Sequence, residues 1–214
     1  SVSDIPPGIA AIPFVAMMSP IVWFLDGILD IPELDATYAD SLASIKAVYQ
    51  KIYPTIPLSG EVNIGKKTSF PLHCRPGKAA FFTGGVDSMS TVLRHHPENP
   101  LLISIWGSEA GVEQKKAWEK VNTRQAAAAA EMNLQRTVIT SNYRDIILIW
   151  ALDLYFPGQL RRSWYVEVAY GSIFLGLSAP IAWRESIGTI YIGSSFTAEN
   201  APPDGSHPEL IENT

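Results

Sequence analysis

The residues Thr83-Gly84-Gly85-Val86-Asp87-Ser88 have types and spacing suited to holding an anion. Two glycines let the backbone come close with no Cβ in the way, and successive N–H groups then point at the bound group. The six residues follow the apolar run Ala79-Ala80-Phe81-Phe82 and precede Met89-Ser90-Thr91-Val92-Leu93, which has a helical pattern. Strand, glycine turn and helix start together form a phosphate cradle, and the helix N-terminus adds a favourable dipole. Ser88 is placed to donate its hydroxyl to a phosphate oxygen, or to cap the helix. Asp87 sets an anion among phosphates, which is unfavourable unless a hard cation such as Mg²⁺ bridges carboxylate and phosphate. The alternative for Asp87 is a helix cap acting through the dipole.

The elements that must position this turn form a βαβα series. The pattern predicts strands over 79–82, 101–106, 136–140 and 189–192. Between them it predicts helices over 88–95, stopped by Pro97, and over 112–132, including the five alanines 126–130. A helical region follows at 144–154, and an apolar helix at 164–177 ends before Pro180. The expected fold class is α/β, a doubly wound, mainly parallel Rossmann-like (HUP-type) sheet with helices on both faces. In such sheets ligands bind beyond the carboxyl ends of the strands. All four ends here are small and polar: 83–88, Gly107-Ser108-Glu109-Ala110-Gly111, Ser141-Asn142-Tyr143-Arg144, and Gly193-Ser194-Ser195-Phe196-Thr197. Glu109 is a second candidate metal or substrate ligand, or an exposed loop carboxylate. Arg144 is a candidate for stabilising charge on a transferring group, or a helix-start surface arginine.

Composition narrows the classes. The chain has 214 residues, 47% hydrophobic and 17% charged, enough for a sizeable core and unlike a disordered chain. The formal net charge of −5 leaves no basic footprint for duplex nucleic acid, although a local patch such as Arg161-Arg162 leaves a tRNA substrate open. The single cysteine, Cys74, excludes an internal disulfide and a cysteine-rich zinc site. The apolar stretch 9–25 contains Pro13 and Pro20, stops at Asp26 and lacks basic flanks. It reads as buried core rather than a membrane span, so no membrane partner is expected, and a cytoplasmic setting is. The start at Ser1 and the end at Thr214 suggest a fragment. The expected division is an N-terminal α/β extension over 1–70, of unassigned role, and a nucleotide-binding domain over 71–214 that is open to truncation. Within the extension, 36–52 reads as an amphipathic helix through Tyr38, Leu42, Ile45, Tyr49 and Ile52, with a strand expected at 60–64. The stretch Gly60-Glu61-Val62-Asn63-Ile64-Gly65-Lys66-Lys67-Thr68 approaches a Walker A loop. Lys67 stands where the hydroxyl is required and Pro71 where the helix should run, so Lys66-Lys67 reads as a solvated turn.

Residues 83–88 resemble the PP-loop of the ATP pyrophosphatases, whose usual form is Ser-Gly-Gly-x-Asp-Ser; Thr83 replaces the first serine. That family includes asparagine synthetase, GMP synthetase, tRNA-modifying ligases and 7-cyano-7-deazaguanine synthase. The resemblance implies ATP and Mg²⁺ as cofactors, cleavage between the α and β phosphates, and adenylation of a carbonyl or carboxyl oxygen. It places phosphate on Thr83, Gly84, Gly85, Val86, Asp87 and Ser88, and adenosine near Ile105, Trp106, Gly193 and Ser194, mostly through backbone groups. The stretch 198–210 is similar to a segment of the 7-cyano-7-deazaguanine synthases at Pro203-Asp204 and Pro208-Glu209. It departs from them at Gly205-Ser206-His207 and in lacking their cysteine cluster. It reads as a rigid loop carrying Glu199, Asp204 and His207 over the cleft, with His207 either an acid–base catalyst or a hydrogen-bonded loop residue. Cys74 is a sulfur-transfer nucleophile or a packing residue. The implied acceptor is a small molecule or nucleobase. The implied donor is ammonia, an amine or sulfur, with no glutaminase signature present. A non-catalytic ATP- or AMP-binding module is the alternative. Oligomeric state, a homodimer included, is left open by the sequence.

Overall fold

The computed structural model describes residues 4–70, 76–109, 111–193 and 202–214. The chain forms two units. The first comprises Ser1–Leu72, Ile149–Trp183 and Phe196–Thr214, and the second His73–Leu148 and Arg184–Ser195. The segments Ile149–Trp183 and Phe196–Thr214, expected in the nucleotide-binding domain, group with the N-terminal residues instead.

In the first unit, α1 (Pro7–Ala10) and α2 (Ile12–Phe24) lead to β1 (Ile28–Asp35), α3 (Ala36–Ile52) and β2 (Glu61–Thr68). Prolines are tolerated at the first turns of both early helices, where their missing N–H has no intrahelical partner. The apolar stretch expected as core is largely that: Val15, Ala16, Met17, Trp23 and Phe24 are buried. The Asp35 carboxylate caps α3 by accepting the Tyr38 N–H at 2.9 Å. The predicted stripe on α3 buries Tyr38, Leu42, Ile45 and Tyr49, each contributing roughly 1.5–3 kcal/mol of hydrophobic stabilisation. β1 and β2 pair in parallel, from Ile28 opposite Glu61 to Asp35 opposite Thr68. Lys66 and Lys67 therefore lie in a strand rather than a turn, and Lys67 pairs with Asp40. The strand expected at 60–64 runs on to Thr68, and the Walker-like stretch has no helix after its glycine.

The second unit is a four-stranded parallel sheet of β3 (Gly77–Phe81), β4 (Leu101–Trp106), β5 (Arg136–Thr140) and β6 (Ile187–Tyr191). Its spatial order is β5-β4-β3-β6, so direction along the sheet reverses between β3 and β6. α4 (Val86–His95) links β3 to β4, and α5 (Lys115–Glu131) links β4 to β5. One face buries Ala80, Phe82 and Leu102 against Val92 of α4 and Ala129 of α5, closed by Leu134. On the other face Ala79, Phe81, Ile103 and Ile105 are also buried. Burial on both faces explains why β3 and β4 read as continuous apolar runs rather than alternating ones.

The predicted helix over 144–154 is interrupted, giving α6 (Tyr143–Ile146) in the second unit and α7 (Ile149–Tyr155) in the first. A π-helical turn at Tyr165–Ala169 leads into α8 (Tyr170–Arg184), which passes through Pro180 rather than stopping before it. Tyr165–Arg184 has the length and apolarity of a membrane span, and 44% of its most apolar 18-residue stretch is buried in the protein. α9 (Pro208–Asn213) ends the described chain.

Candidate functional site

Because β3, β4, β5 and β6 are parallel, their carboxyl ends share one edge of the sheet. The glycine turn leaves β3 at that edge. Gly84 has φ +82°, a left-handed conformation that a side chain would strain. Gly85 is the N-cap of α4, and no side chain caps the helix there. The first-turn N–H groups of α4 lack intrahelical acceptors by construction, which suits an anion. Val86, 85% exposed, opens the first turn to solvent, and Thr83, Gly84, Gly85 and Asp87 are exposed with it.

The hydroxyls of the turn hold its shape. Thr83 Oγ1 accepts the Gly85 N–H at 3.2 Å and lies 3.1 Å from Ser88 Oγ. Ser88, buried, donates to the Gly85 carbonyl at 3.0 Å. Ser88 does not cap α4: its hydroxyl donates back to the carbonyl of Gly85, the N-cap residue. The Thr83 hydroxyl closes the turn.

Gly193, just past β6, meets the start of α4. A Cβ at Gly193 would stand 2.8 Å from the Asp87 carbonyl carbon, 2.9 Å from its oxygen and 3.0 Å from the Ser88 nitrogen. Only glycine lets the end of β6 lie this close to the first turn of α4. The predicted positions 83–88 and Gly193 are therefore brought together. Ser194, with Glu199, His73 and Cys74, lies outside the described residues.

The ends of β4 and β5 form the neighbouring part of the edge. The Ser141 N–H donates to the Trp106 carbonyl at 3.0 Å, and Arg144 Nη1 donates to the Ser108 carbonyl at 2.5 Å. Arg144 thus ties the two strand-end loops to each other. Ile105 is buried, and its carbonyl accepts the Ser108 hydroxyl at 2.9 Å. Trp106 stacks on Trp118 of α5, with ring centroids 5.5 Å apart and planes 3° from parallel. Its Nε1 is buried with no hydrogen-bond partner among the described residues, an unspent donor at the strand end. Glu109 is exposed in the loop after β4.

Behind the turn is a polar relay that no motif marked. Gln125 of α5 donates through Nε2 to the Thr83 carbonyl at 2.9 Å, and Ser104 of β4 donates to the Phe82 carbonyl at 2.8 Å. Both side chains accept from Arg136, at 2.6 Å for Gln125 and 2.9 Å for Ser104. Burial pulls the Arg136 pKa below its ordinary value. The available signals were an arginine opening an apolar strand and a glutamine just before the alanine run.

The tail residues serve the first unit. His207 caps α9, its Nδ1 accepting the Glu209 N–H at 3.3 Å. Asp204 is buried and accepts from Tyr170, from the Ser206 N–H and hydroxyl, and from Arg162 at 2.7 Å. Burial pushes the Asp204 pKa up, but these donors outweigh it and hold the carboxyl below the usual range. Among the described residues, no group of three or more His, Cys, Asp or Glu side chains gathers to hold a metal ion.

The chain matches no protein-family model, no curated protein and no solved structure.

Proposed function

We propose that the second unit is a doubly wound, HUP-type nucleotide-binding domain of the PP-loop class, and that it uses ATP to adenylate a carbonyl or carboxyl oxygen. The observation that carries this reading is the coincidence of two glycines at one point. The left-handed turn at Gly84 and the close approach of Gly193 to Asp87 both lie where the strand order reverses, the place where open parallel sheets take nucleotides.

In this reading the phosphates lie against residues 83–88 and the adenosine toward Ile105, Trp106 and the 193–194 segment. The substrate oxygen attacks the α-phosphorus, the bond to the α,β-bridging oxygen breaks, and pyrophosphate leaves. Ammonia, an amine or a sulfur nucleophile then displaces AMP from the activated carbon. The chain's own contribution is positioning and fixed dipoles: backbone N–H groups of the turn, the Ser88 hydroxyl and the start of α4. Asp87 would hold Mg²⁺ jointly with phosphate oxygens and water, the manner in which this ion binds without a protein cage. The ion would neutralise charge on the phosphates. The acceptor is a small molecule or nucleobase, in a cytoplasmic setting, and duplex nucleic acid is not expected to bind.

The test is product analysis with ATP, Mg²⁺, ammonium and a panel of carboxylate and nucleobase acceptors. AMP and pyrophosphate support the reading, whereas ADP and phosphate with a competent acceptor refute it. A second reading, a non-catalytic ATP- or AMP-binding module, is favoured by the structural duties of His207 and Asp204 in the first unit. Saturable ATP binding with no pyrophosphate across the panel would select it.

A further inference from the structure

Arg136, at the start of β5, is a cation held entirely by neutral acceptors. Its Nε donates to Ser104 Oγ at 2.9 Å, Nη1 to Asn122 Oδ1 at 2.9 Å and Nη2 to Gln125 Oε1 at 2.6 Å. No described carboxylate forms an ion pair with it. It is half-buried, so its charge is partly desolvated without the partner that usually offsets that cost.

Two of its three acceptors pass the contact on to the glycine turn. Gln125 donates to the carbonyl of Thr83, and Ser104 to the carbonyl of Phe82. One guanidinium thereby orients two consecutive carbonyls at the point where the turn leaves β3. A peptide unit is planar, so fixing the Thr83 carbonyl also fixes the direction of the Gly84 N–H.

We propose that Arg136 is the positioning residue of the turn and the standing counter-charge of its ligand, a pyrophosphate-bearing anion. The proposal rests on the reading of residues 83–88 as a phosphate site. The charge that no described carboxylate balances is balanced by the polyphosphate when it binds. The partly dry path through Gln125 and Ser104 screens that attraction less than water would. A guanidinium suits this role because its planar fork holds three acceptors at once, which an ammonium cannot do in a fixed geometry.

The test is calorimetric titration of inorganic pyrophosphate, and separately of ATP, into the full chain and three variants, each melted without ligand. Arg136→Met is expected to weaken pyrophosphate binding about tenfold or more, with Arg136→Lys intermediate because the charge survives and the fork does not. Gln125→Glu supplies an internal counter-charge and deletes the donor to Thr83. It is expected to fold, with a melting temperature lowered by the lost bond to the Thr83 carbonyl, and to lose affinity about tenfold. A purely structural role predicts the reverse pattern: lysine no better than methionine, and affinity unchanged in Gln125→Glu. Either of those results overturns the proposal. If Arg136→Met does not fold, Gln125→Glu decides alone. Arg136-dependent pyrophosphate binding without ATP binding supports this proposal and overturns the nucleotide reading. ATP and pyrophosphate binding indifferent to all three substitutions overturns this proposal and leaves the nucleotide reading standing. A wild-type chain that binds neither anion overturns both.

Discussion

Replacing Gly193 by alanine tests the junction between β6 and the glycine turn. The added methyl would sit 2.8 Å from the carbonyl carbon of Asp87, where ordinary contact begins at 3.4 Å. The atoms it meets are backbone atoms of the first turn of α4, which cannot rotate aside. Either the end of β6 or the start of α4 must move by about half an ångström, an overpacking cost of about 1–3 kcal/mol. For a chain of this size that lowers the melting temperature by about 2–4 °C per kcal/mol. The same displacement turns the first-turn N–H groups away from the phosphates, so ATP affinity falls about tenfold, or ~1.4 kcal/mol. Gly158→Ala is the control. Gly158 has φ +77° with no atom within 4 Å of the new methyl, so it costs about 1–2 kcal/mol of backbone strain and leaves ATP binding alone. Scanning calorimetry and ATP titration on the two variants separate the effects. Wild-type ATP affinity in Gly193→Ala, at a lowered melting temperature, would refute the placement of phosphate at this junction.

Asp87→Ala is expected to fold and to lose pyrophosphate release, measured under saturating ATP and Mg²⁺; unimpaired release contradicts the metal role. Asp204→Asn removes a buried carboxylate that receives four donors, so thermal melts at pH 7 should show a loss of about 1–3 kcal/mol. Because the folded-state pKa of Asp204 is depressed, its contribution is full above the ordinary carboxylate value of 3.8 and fades as pH falls through the folded value. The gap between wild type and Asp204→Asn should therefore narrow toward pH 3. A gap that is constant with pH would mean that the charge of Asp204 does not matter.

The elements nearest the site were the most legible. β4 falls where the apolar run at 101–106 placed it, because a strand buried on both faces leaves uninterrupted apolar sequence, whereas β5 falls at 136–140 as a half-exposed edge strand of mostly β-branched residues. α3 was equally plain, since its stripe repeats at three and four residues and Tyr53-Pro54 closes it. β1 was not legible: Asp30, Pro32 and Glu33 interrupt it, and its burial does not follow a simple alternation. Pro180 misled in the usual direction, because a proline penalty of about 3 kcal/mol is a local rule that tertiary packing around α8 overrides. At the site, the glycine turn was visible because glycine spacing is a sequence pattern. Arg136, Gln125 and Ser104 were not, because their convergence is set by strand register and by the face of α5, neither of which leaves a motif. Asp204 and His207 were readable as polar loop residues; the His207 contact to Glu209 is a local cap, but the Asp204 partners Tyr170 and Arg162 come from folding within the first unit.

The central claim is that the turn at 83–88 holds the phosphates of ATP, and amide NMR during titration of the full chain with Mg²⁺ and ATP tests it most directly. Saturable shifts concentrated at Gly84, Gly85, Val86, Ser88 and Gly193 are the predicted result. No saturable shift, or shifts confined to residues of the first unit, would contradict it.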